Sequence, residues 1–221
     1  MIADYSQIEL RVLAEITQDE KMMAAFRNGE DLHKLTASVI TGAPLEKVTT
    51  KDRQAAKAVN FGLIYGMGAK ELMNYAYNTY KVSMTLEQAN RFKQRYFDFY
   101  KGVNEWHQRV GQSNATETRT ILGRRRKWKE ASKITELLNS PVQGTAADIM
   151  KEALVQIMAM KQPAWKIVGC IHDEVIMEIP EDQAEAASLI LVTCMEQAAG
   201  KYLKSIPAVV DLRIADNWSE K

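Results

Sequence analysis

Residues 49–68 read TTKDRQAAKAVNFGLIYGMG, and this stretch decides how the chain is expected to fold. Arg53, Lys57, Phe61 and Tyr65 recur at every fourth position, so on an α-helix they form one ridge. Threonines before the ridge predict a capped N-terminus, and glycines after it predict the C-terminus. Cations at the positive end of a helix suit a polyanion such as a triphosphate, and the two rings offer flat faces to a base or sugar.

The other interpretation of this stretch is an amphipathic helix with solvated cations and core aromatics. Small residues around the ridge, such as Ala55 and Gly62, favour the first interpretation because they leave the ridge prominent. The pattern Arg-x3-Lys-x3-Phe-x3-Tyr-Gly resembles the fingers helix of family A DNA polymerases. The resemblance implies that Arg53 and Lys57 bind the β- and γ-phosphates of a nucleotide, that Lys57 donates a proton to the leaving group, and that Phe61 and Tyr65 pack against the nascent base pair.

Composition gives no global signature of nucleic-acid binding. The 221 residues carry a net charge of +1, with 46% hydrophobic and 26% charged residues, as in an ordinary soluble globular protein. Cys170 and Cys194 lack metal-ligand spacing, so we expect two buried thiols in a reducing cytosol. With no targeting signal and no apolar run of membrane-spanning length, the sequence predicts a cytoplasmic protein.

The first eight residues after Ala3, DYSQIELR, predict a strand-to-helix junction with Asp4 at the strand tip. On its own, a carboxylate at such a junction is commonly an N-cap. DYSQIELR is, however, similar to the first catalytic motif of family A polymerases. The resemblance implies that Asp4 binds both magnesium ions, and that Gln7 and Glu9 contact the nucleotide, with Glu9 excluding a ribose 2′-hydroxyl.

Residues 118–129, TRTILGRRRKWK, predict two extended runs that turn at Gly123. A charge run is usually a solvated face, yet this one is dense in a neutral chain and is compatible with phosphate contact. Its LGRRR turn resembles a family segment near the template and primer backbone. The resemblance assigns Arg124, Arg125 and Arg126 to DNA binding.

Residues 132–160 predict one long helical pattern starting near Ile134, with a kink or break expected around Pro141 and Gly144. Asn139 and Gln143 lie four residues apart there, so they share a face. Taken alone they are surface or capping amides. The segment resembles the family stretch whose amides contact the DNA minor groove near the terminal base pair.

Residues 166–179, KIVGCIHDEVIMEI, predict a β-hairpin with two acids, Asp173 and Glu174, at its tip. Adjacent acids in a turn are usually solvated. The sequence IHDEV between apolar runs nevertheless resembles the third polymerase motif. The resemblance makes Asp173 the second metal ligand, Glu174 an auxiliary acid and His172 a neighbour of the primer terminus.

Together the motifs predict an α+β fold in which an antiparallel palm sheet with helices, residues 1–19 and 117–221, carries an inserted helical fingers subdomain, residues 20–116. The expected reaction is template-directed addition of deoxynucleoside triphosphates to a DNA primer, with two Mg²⁺ ions bound between Asp4, Asp173 and the substrate.

Only residues 1–3 precede Asp4, so we expect thumb and exonuclease domains to be absent and the strand bearing Asp4 to lack a sheet neighbour. A partner chain, as in a split polymerase, or self-association is expected to replace the missing parts. Two other functions stay open. One is a non-extending module that binds nucleotide or DNA. The other is a single-subunit RNA polymerase, although Glu9 and Phe61 favour a DNA polymerase.

Overall fold

The computed structural model describes residues 1–220, which divide into two compact units. The sheet unit comprises residues 1–12 and the residues from 143 onward, and the helical unit comprises residues 13–142. The predicted palm and fingers have different boundaries, and these two names stay predictions. None of the helices formed by residues 1–220 is both long enough and apolar enough to span a lipid bilayer.

The secondary structure is mainly helical. The strands are β1 (Ile2–Tyr5), β2 (Glu117–Arg119), β3 (Arg125–Lys127), β4 (Lys166–Ile171), β5 (Glu174–Glu178) and β6 (Val210–Arg213). The α-helices are α1 (Ile8–Thr17), α2 (Glu20–Arg27), α3 (Leu32–Thr41), α4 (Thr50–Ile64), α5 (Ala69–Tyr80), α6 (Leu86–Phe99), α7 (Lys101–Gly111), α8 (Ile134–Met160) and α9 (Ala184–Gly200). Short 3₁₀ helices lie at Leu45–Lys47, Glu181–Gln183 and Trp218–Glu220.

An antiparallel sheet of four strands, in the order β4-β5-β1-β6, organises the sheet unit. This sheet with its flanking helices confirms the predicted α+β class. The expectation that the strand bearing Asp4 lacks a neighbour is wrong, because β1 pairs with β5 on one side and β6 on the other. Its short length is offset by this central position, where it has a hydrogen-bonded strand along both of its edges.

The two faces of this sheet differ in chemistry, because residues paired directly across strands project to the same face. Ala3 lies opposite Val175 and Leu212, and the buried ring of Tyr5 reaches α9, where its hydroxyl donates to the Met195 carbonyl at 2.6 Å. Burial raises the pKa of the Tyr5 phenol, which therefore stays neutral. The opposite face carries Asp4.

Helix α4 begins and ends where its sequence predicts. Thr49 caps it by accepting from the Asp52 backbone N–H at 3.1 Å, and Asp52 accepts in return from the Thr49 N–H at 3.0 Å. Gly66, with φ of +77°, follows the last turn in the left-handed region that glycine tolerates. The small-residue side is buried, and a Cβ at Gly62 would lie 2.7 Å from Leu72 Cδ1 on α5.

Helix α8 runs without a break from Ile134 to Met160, so a break at Pro141 is wrong, whereas a kink there stays a prediction. Proline removes one backbone donor, but the apolar side chains of Leu138 and Val142 beside it are fully buried. Packing of this segment therefore outweighs the lost hydrogen bond. The prediction of two buried thiols is also wrong in one case, because Cys194 is buried and Cys170 is exposed on the edge strand β4.

Candidate functional site

Two predicted catalytic acids lie on neighbouring backbone segments of the sheet unit. Asp4 is the third residue of β1 and pairs with Glu174, the first residue of β5. The Tyr5 backbone N–H donates to the Asp173 carbonyl at 3.1 Å, so the turn that carries Asp173 lies beside the end of β1. Two segments far apart in sequence are thereby neighbours in the sheet, while a shared catalytic role of their acids stays a prediction.

The turns beside these acids have unusual backbone conformations. Gln7, between β1 and α1, and His172, in the turn before β5, each have φ of +56°. Positive φ is uncommon for residues other than glycine and costs roughly 1–2 kcal/mol. Such strain concentrates at functional sites, because the surrounding structure must maintain it. Both residues are ones that the motif resemblance assigns to the nucleotide or the primer.

Glu174 is not at the tip of the hairpin, where its sequence motif predicted it. It belongs to β5, where it is only 4% exposed, and its Oε1 accepts a hydrogen bond from Trp218 Nε1 at 2.8 Å. The hairpin is tighter than expected, since only His172 and Asp173 lie between β4 and β5. Sequence reasoning missed Trp218, because nothing in the local pattern links a residue near the end of the chain to Glu174.

A further acid, Asp211, lies opposite Asp4 on the other side of β1. A cavity of about 340 Å³ opens there, lined by Ile2, Asp4, Asp211, Leu212 and Arg213. Sequence reasoning missed Asp211 too. The alternation of charged Asp211 and Arg213 around Leu212 was the available signal, since it predicts that the two charged side chains share the face opposite Leu212.

The carboxylates of Asp4 and Asp173 are a donor set that fits Mg²⁺. Among residues 1–220, no group of three or more His, Cys, Asp or Glu side chains is arranged to hold a metal ion. Magnesium does not require such a cage, because it commonly binds through one or two carboxylates and completes its octahedron with water and substrate phosphates. Hard oxygen donors on adjacent segments are what this mode of binding needs.

In the helical unit, three ridge residues lie on α4 and the fourth, Tyr65, directly follows it, and all four are half-buried. Arg53 Nε donates to Asp31 Oδ2 at 2.6 Å, and Asp31 also caps α3 by accepting from the His33 and Lys34 backbone N–H groups. Burial raises the pKa of Asp31, but the hydrogen bonds from Arg53 and Lys34 outweigh it and hold the pKa below its usual value. Asp31, which the sequence motifs did not single out, therefore fixes the guanidinium of Arg53.

A buried network of side-chain hydrogen bonds supports the helix that carries the ridge. Thr36 Oγ1 lies 2.8 Å from the Tyr100 hydroxyl and donates to Asn60 Oδ1 at 3.1 Å, so the Tyr100 hydroxyl must be the donor to Thr36. The Asn60 amide nitrogen lies 2.9 Å from His33 Nδ1, which must accept because an amide NH₂ only donates. His33, whose ring lies 5.7 Å from that of Phe61, is thus neutral and joins α3 to the ridge helix.

The buried position of His33 in this hydrogen-bond network makes the stability of the fold depend on pH. His33 is 3% exposed, and its burial lowers its pKa from 6.5 to about 4. The nearby charge of Asp31 raises this pKa, whereas the charges of Arg53 and Lys57 lower it. The unfolded chain takes up this proton near pH 6.5 and the folded chain only near pH 4. The contribution of neutral His33 to the free energy of unfolding is therefore fully present above pH 6.5. About 3 kcal/mol of this contribution is lost as the pH falls from 6.5 to 4.

We expect His33→Gln to reduce this acid-induced loss, since Gln can still accept from Asn60 and does not titrate. Urea unfolding between pH 7.5 and 4 measures the slope, with His172→Gln, at an exposed site, as the matched control. Equal slopes for the wild-type protein and His33→Gln would contradict the assignment.

The basic hairpin of β2 and β3 turns at Gly123, where φ is +89°, as predicted. The three arginines that follow Gly123, residues 124–126, are exposed but differ in their contacts. Arg126 donates to Ser140 Oγ at 2.8 Å and stacks over the Trp128 ring at 4.9 Å, whereas Arg125 lies 3.8 Å from Glu117. Glu117 also contacts Arg119 and Lys127, so this one acid partly offsets a basic cluster that the sequence pattern presented as purely cationic.

The remaining predicted residues lie on helices. Glu9 is half-buried in the first turn of α1. Asn139 is half-buried and Gln143 is exposed, both on the continuous helix α8. Asn139 belongs to the helical unit and Gln143 to the sheet unit.

Comparison with known proteins agrees with these motifs. The family model for DNA polymerase family A matches residues 1–220. DNA polymerase I of Aquifex aeolicus is 39% identical over 227 residues, covering all of this chain, and thermostable DNA polymerase I of Thermus aquaticus is 35% identical over 227 residues, covering 97% of it. A solved structure of the polymerase domain of Pol1 from M. smegmatis, in complex with DNA primer-template and dNTP, superimposes with a TM-score of 0.81 at 32% identity and covers 95% of this chain.

The chain spans only part of these proteins: 39% of the Aquifex aeolicus polymerase, 26% of the Thermus aquaticus polymerase and 38% of the M. smegmatis chain. The family resemblance that the sequence motifs indicated is confirmed over this portion. The chain belongs to DNA polymerase family A.

Proposed function

We propose that this chain carries the nucleotidyl-transfer site of a DNA polymerase, which adds deoxynucleoside monophosphates from dNTPs to a primer 3′-hydroxyl on a DNA template. The observation that carries the proposal is the pairing of β1 with β5, which sets Asp4 and the Asp173 turn side by side in a chain of this family.

In the proposed reaction, the primer 3′-hydroxyl loses its proton to solvent and its oxygen bonds to the α-phosphorus of the nucleotide. The bond from that phosphorus to the bridging oxygen breaks, and pyrophosphate leaves. Asp4 and Asp173 would hold two Mg²⁺ ions, which when bound lower the pKa of the attacking hydroxyl and neutralise charge on the phosphates. The role of the two carboxylates is to fix where the reacting groups gather, because phosphoryl transfer depends on positioning and charge rather than on a covalent nucleophile.

The ridge on α4 is proposed to bind the triphosphate. Arg53, fixed by Asp31, would contact the phosphate oxygens, and Lys57 would donate its proton to the departing pyrophosphate. Phe61 and Tyr65 would pack against the new base pair.

The other predicted contacts complete the proposed substrate site. Gln7 and Glu9 would contact the nucleotide, with Glu9 closing off the ribose 2′-position. His172 would lie beside the primer terminus. Asn139 and Gln143 would contact base edges in the minor groove, where acceptors common to all base pairs permit any sequence.

Primer extension by the purified chain with Mg²⁺ and all four dNTPs tests the proposal. We expect template-directed extension, with dNTPs used in preference to ribonucleotides. A second candidate function is binding of primer-template without extension. A band shift with no extended product would support that candidate. Sedimentation of the same sample would test the proposed partner or self-association by comparing its mass with that of one chain.

Arginines 124–126 are proposed to contact the DNA backbone. Replacing all three by alanine is expected to weaken DNA binding regardless of sequence and to flatten the plot of log K against log salt by about 0.9 for each phosphate that is no longer neutralised. Fluorescence anisotropy at several salt concentrations measures the slope. A variant with alanine at Lys70, Lys81 and Arg91, three exposed cations elsewhere in the helical unit, is the charge-matched control. If both variants keep the wild-type slope, the hairpin does not bind phosphate.

A further inference from the structure

The C-terminal segment of the described chain returns across the sheet to reach a candidate catalytic acid. Trp218 follows β6, and Glu174 opens β5, with β1 between these two strands. Neighbouring strands lie about 4.8 Å apart, so the segment after β6 crosses about two strand spacings to form the hydrogen bond between Trp218 Nε1 and Glu174 Oε1. Glu174 pairs with Asp4, so the two side chains project to the same face of the sheet.

The turn that presents Trp218 is held by its own hydrogen bonds. The Asn217 side chain accepts from the Ser219 backbone N–H at 3.1 Å and the Ser219 hydroxyl at 2.5 Å, and it also donates to the Glu220 carboxylate. Arg213 Nη1 on β6 donates to the Glu220 carbonyl at 3.4 Å. The indole is thus presented by a short 3₁₀ helix tied back to the strand before it.

The chemistry of this contact differs from that of an ordinary core tryptophan. Trp165, in the same unit, is buried, and its Nε1 donates to the uncharged amide of Gln183 at 2.6 Å. Trp218 is 54% exposed, so its ring buries less apolar surface than the ring of Trp165 does. Its N–H nevertheless reaches the carboxyl group of Glu174, a residue that is 4% exposed. A buried carboxyl group needs hydrogen-bond donors, and a neutral indole orients one oxygen without cancelling the negative charge, as an arginine would.

We propose that Trp218 is a positioning residue for the polymerase reaction, holding the Glu174 carboxylate on the Asp4 side of the sheet, beside the turn that carries Asp173. This inference rests on the proposed function. Glu174 lies opposite Asp4 on the neighbouring strand, so removing the indole donor would disturb the geometry of the site without removing a charged group from it.

The contact itself is testable without polymerase activity. The indole N–H resonance of Trp218, identified by its loss in Trp218→Phe, is expected to shift and to exchange faster with solvent in Glu174→Ala. Glu178→Ala, at an exposed position on the same strand, is the control and is expected to leave the resonance in place. An indole resonance that does not respond to Glu174→Ala would overturn the inference.

The kinetic test uses two matched substitutions. Trp218→Phe is expected to lower kcat for primer extension about tenfold, since small misplacements of catalytic groups carry penalties of this order or larger, with little change in the KM for dNTP. Trp165→Phe removes the same kind of donor elsewhere and is expected to leave kcat unchanged. A wild-type kcat in Trp218→Phe would overturn the positioning role. Failure of the wild-type chain to extend a primer would instead contradict the proposed function, while the resonance experiment would still report on the contact.

Discussion

Replacing Asp173 by asparagine is expected to reduce primer extension by about a thousandfold, because a metal-bound carboxylate contributes several kcal/mol of charge stabilisation and each 1.36 kcal/mol is a factor of ten in rate. Asparagine keeps the size and the backbone turn but removes the charge. Asp4→Asn is expected to have an effect of the same order, since Asp4 lies on the strand whose Tyr5 N–H bonds the Asp173 carbonyl. Single-turnover extension of a labelled primer measures both.

The matched control is Asp182→Asn, the same substitution at an exposed residue of the sheet unit. It is expected to extend the primer at the wild-type rate. Folding of each variant is checked by its thermal unfolding transition, which should stay close to that of the wild-type chain. Near-normal extension by a folded Asp173→Asn protein would remove Asp173 from the proposed site.

Lys57→Ala is expected to lower kcat about a hundredfold or more, within the range observed when a general acid or one electrostatic donor is removed. Lys57 lies one helical turn after Arg53 on the half-buried ridge of α4. Arg53→Ala is expected to act mainly through a raised KM for dNTP, because its proposed contact is made with the bound triphosphate before the reaction as well as during it. Steady-state extension at varied dNTP concentration separates the two effects.

Lys51→Ala provides the control on the same helix, because Lys51 is an exposed cation outside the ridge. Its kinetic constants should match those of the wild-type chain. A Lys57→Ala protein with unchanged kcat would show that the ridge does not serve the leaving group, and the helix would then have the purely structural role that an ordinary amphipathic helix has.

The sequence predicted best what is decided locally. The cap at Thr49, the glycine after α4 and the turn at Gly123 depend on residues within a few positions of one another, and each lies where the pattern indicated. Motif resemblance supplied the long-range pairing of Asp4 with the Asp173 turn. Periodicity and propensity alone could not have supplied it, because these two residues are separated by most of the chain.

What the sequence could not predict depends on tertiary packing. Trp218 is 44 residues from Glu174, and Asp31 is 22 residues from Arg53, so neither partner is visible in a local pattern. The long helix α8 was predicted, but a break in it was wrongly allowed because the proline rule describes the isolated backbone, whereas Leu138 and Val142 beside Pro141 are fully buried here. Glu174 was predicted to lie in the hairpin turn, but the turn consists of His172 and Asp173 alone, so Glu174 is the first residue of β5.

The most direct test of the central claim, that Asp4 and Asp173 form one metal-binding pair at the site of nucleotidyl transfer, is a crystal structure of the chain with primer-template, a non-hydrolysable dNTP analogue and Mg²⁺. We expect metal density within about 2.1 Å of carboxylate oxygens from both residues and of the triphosphate, and its loss in Asp173→Asn. A bound nucleotide whose metal ions are held by other residues, with Asp4 and Asp173 contacting neither metal nor substrate, would contradict the account.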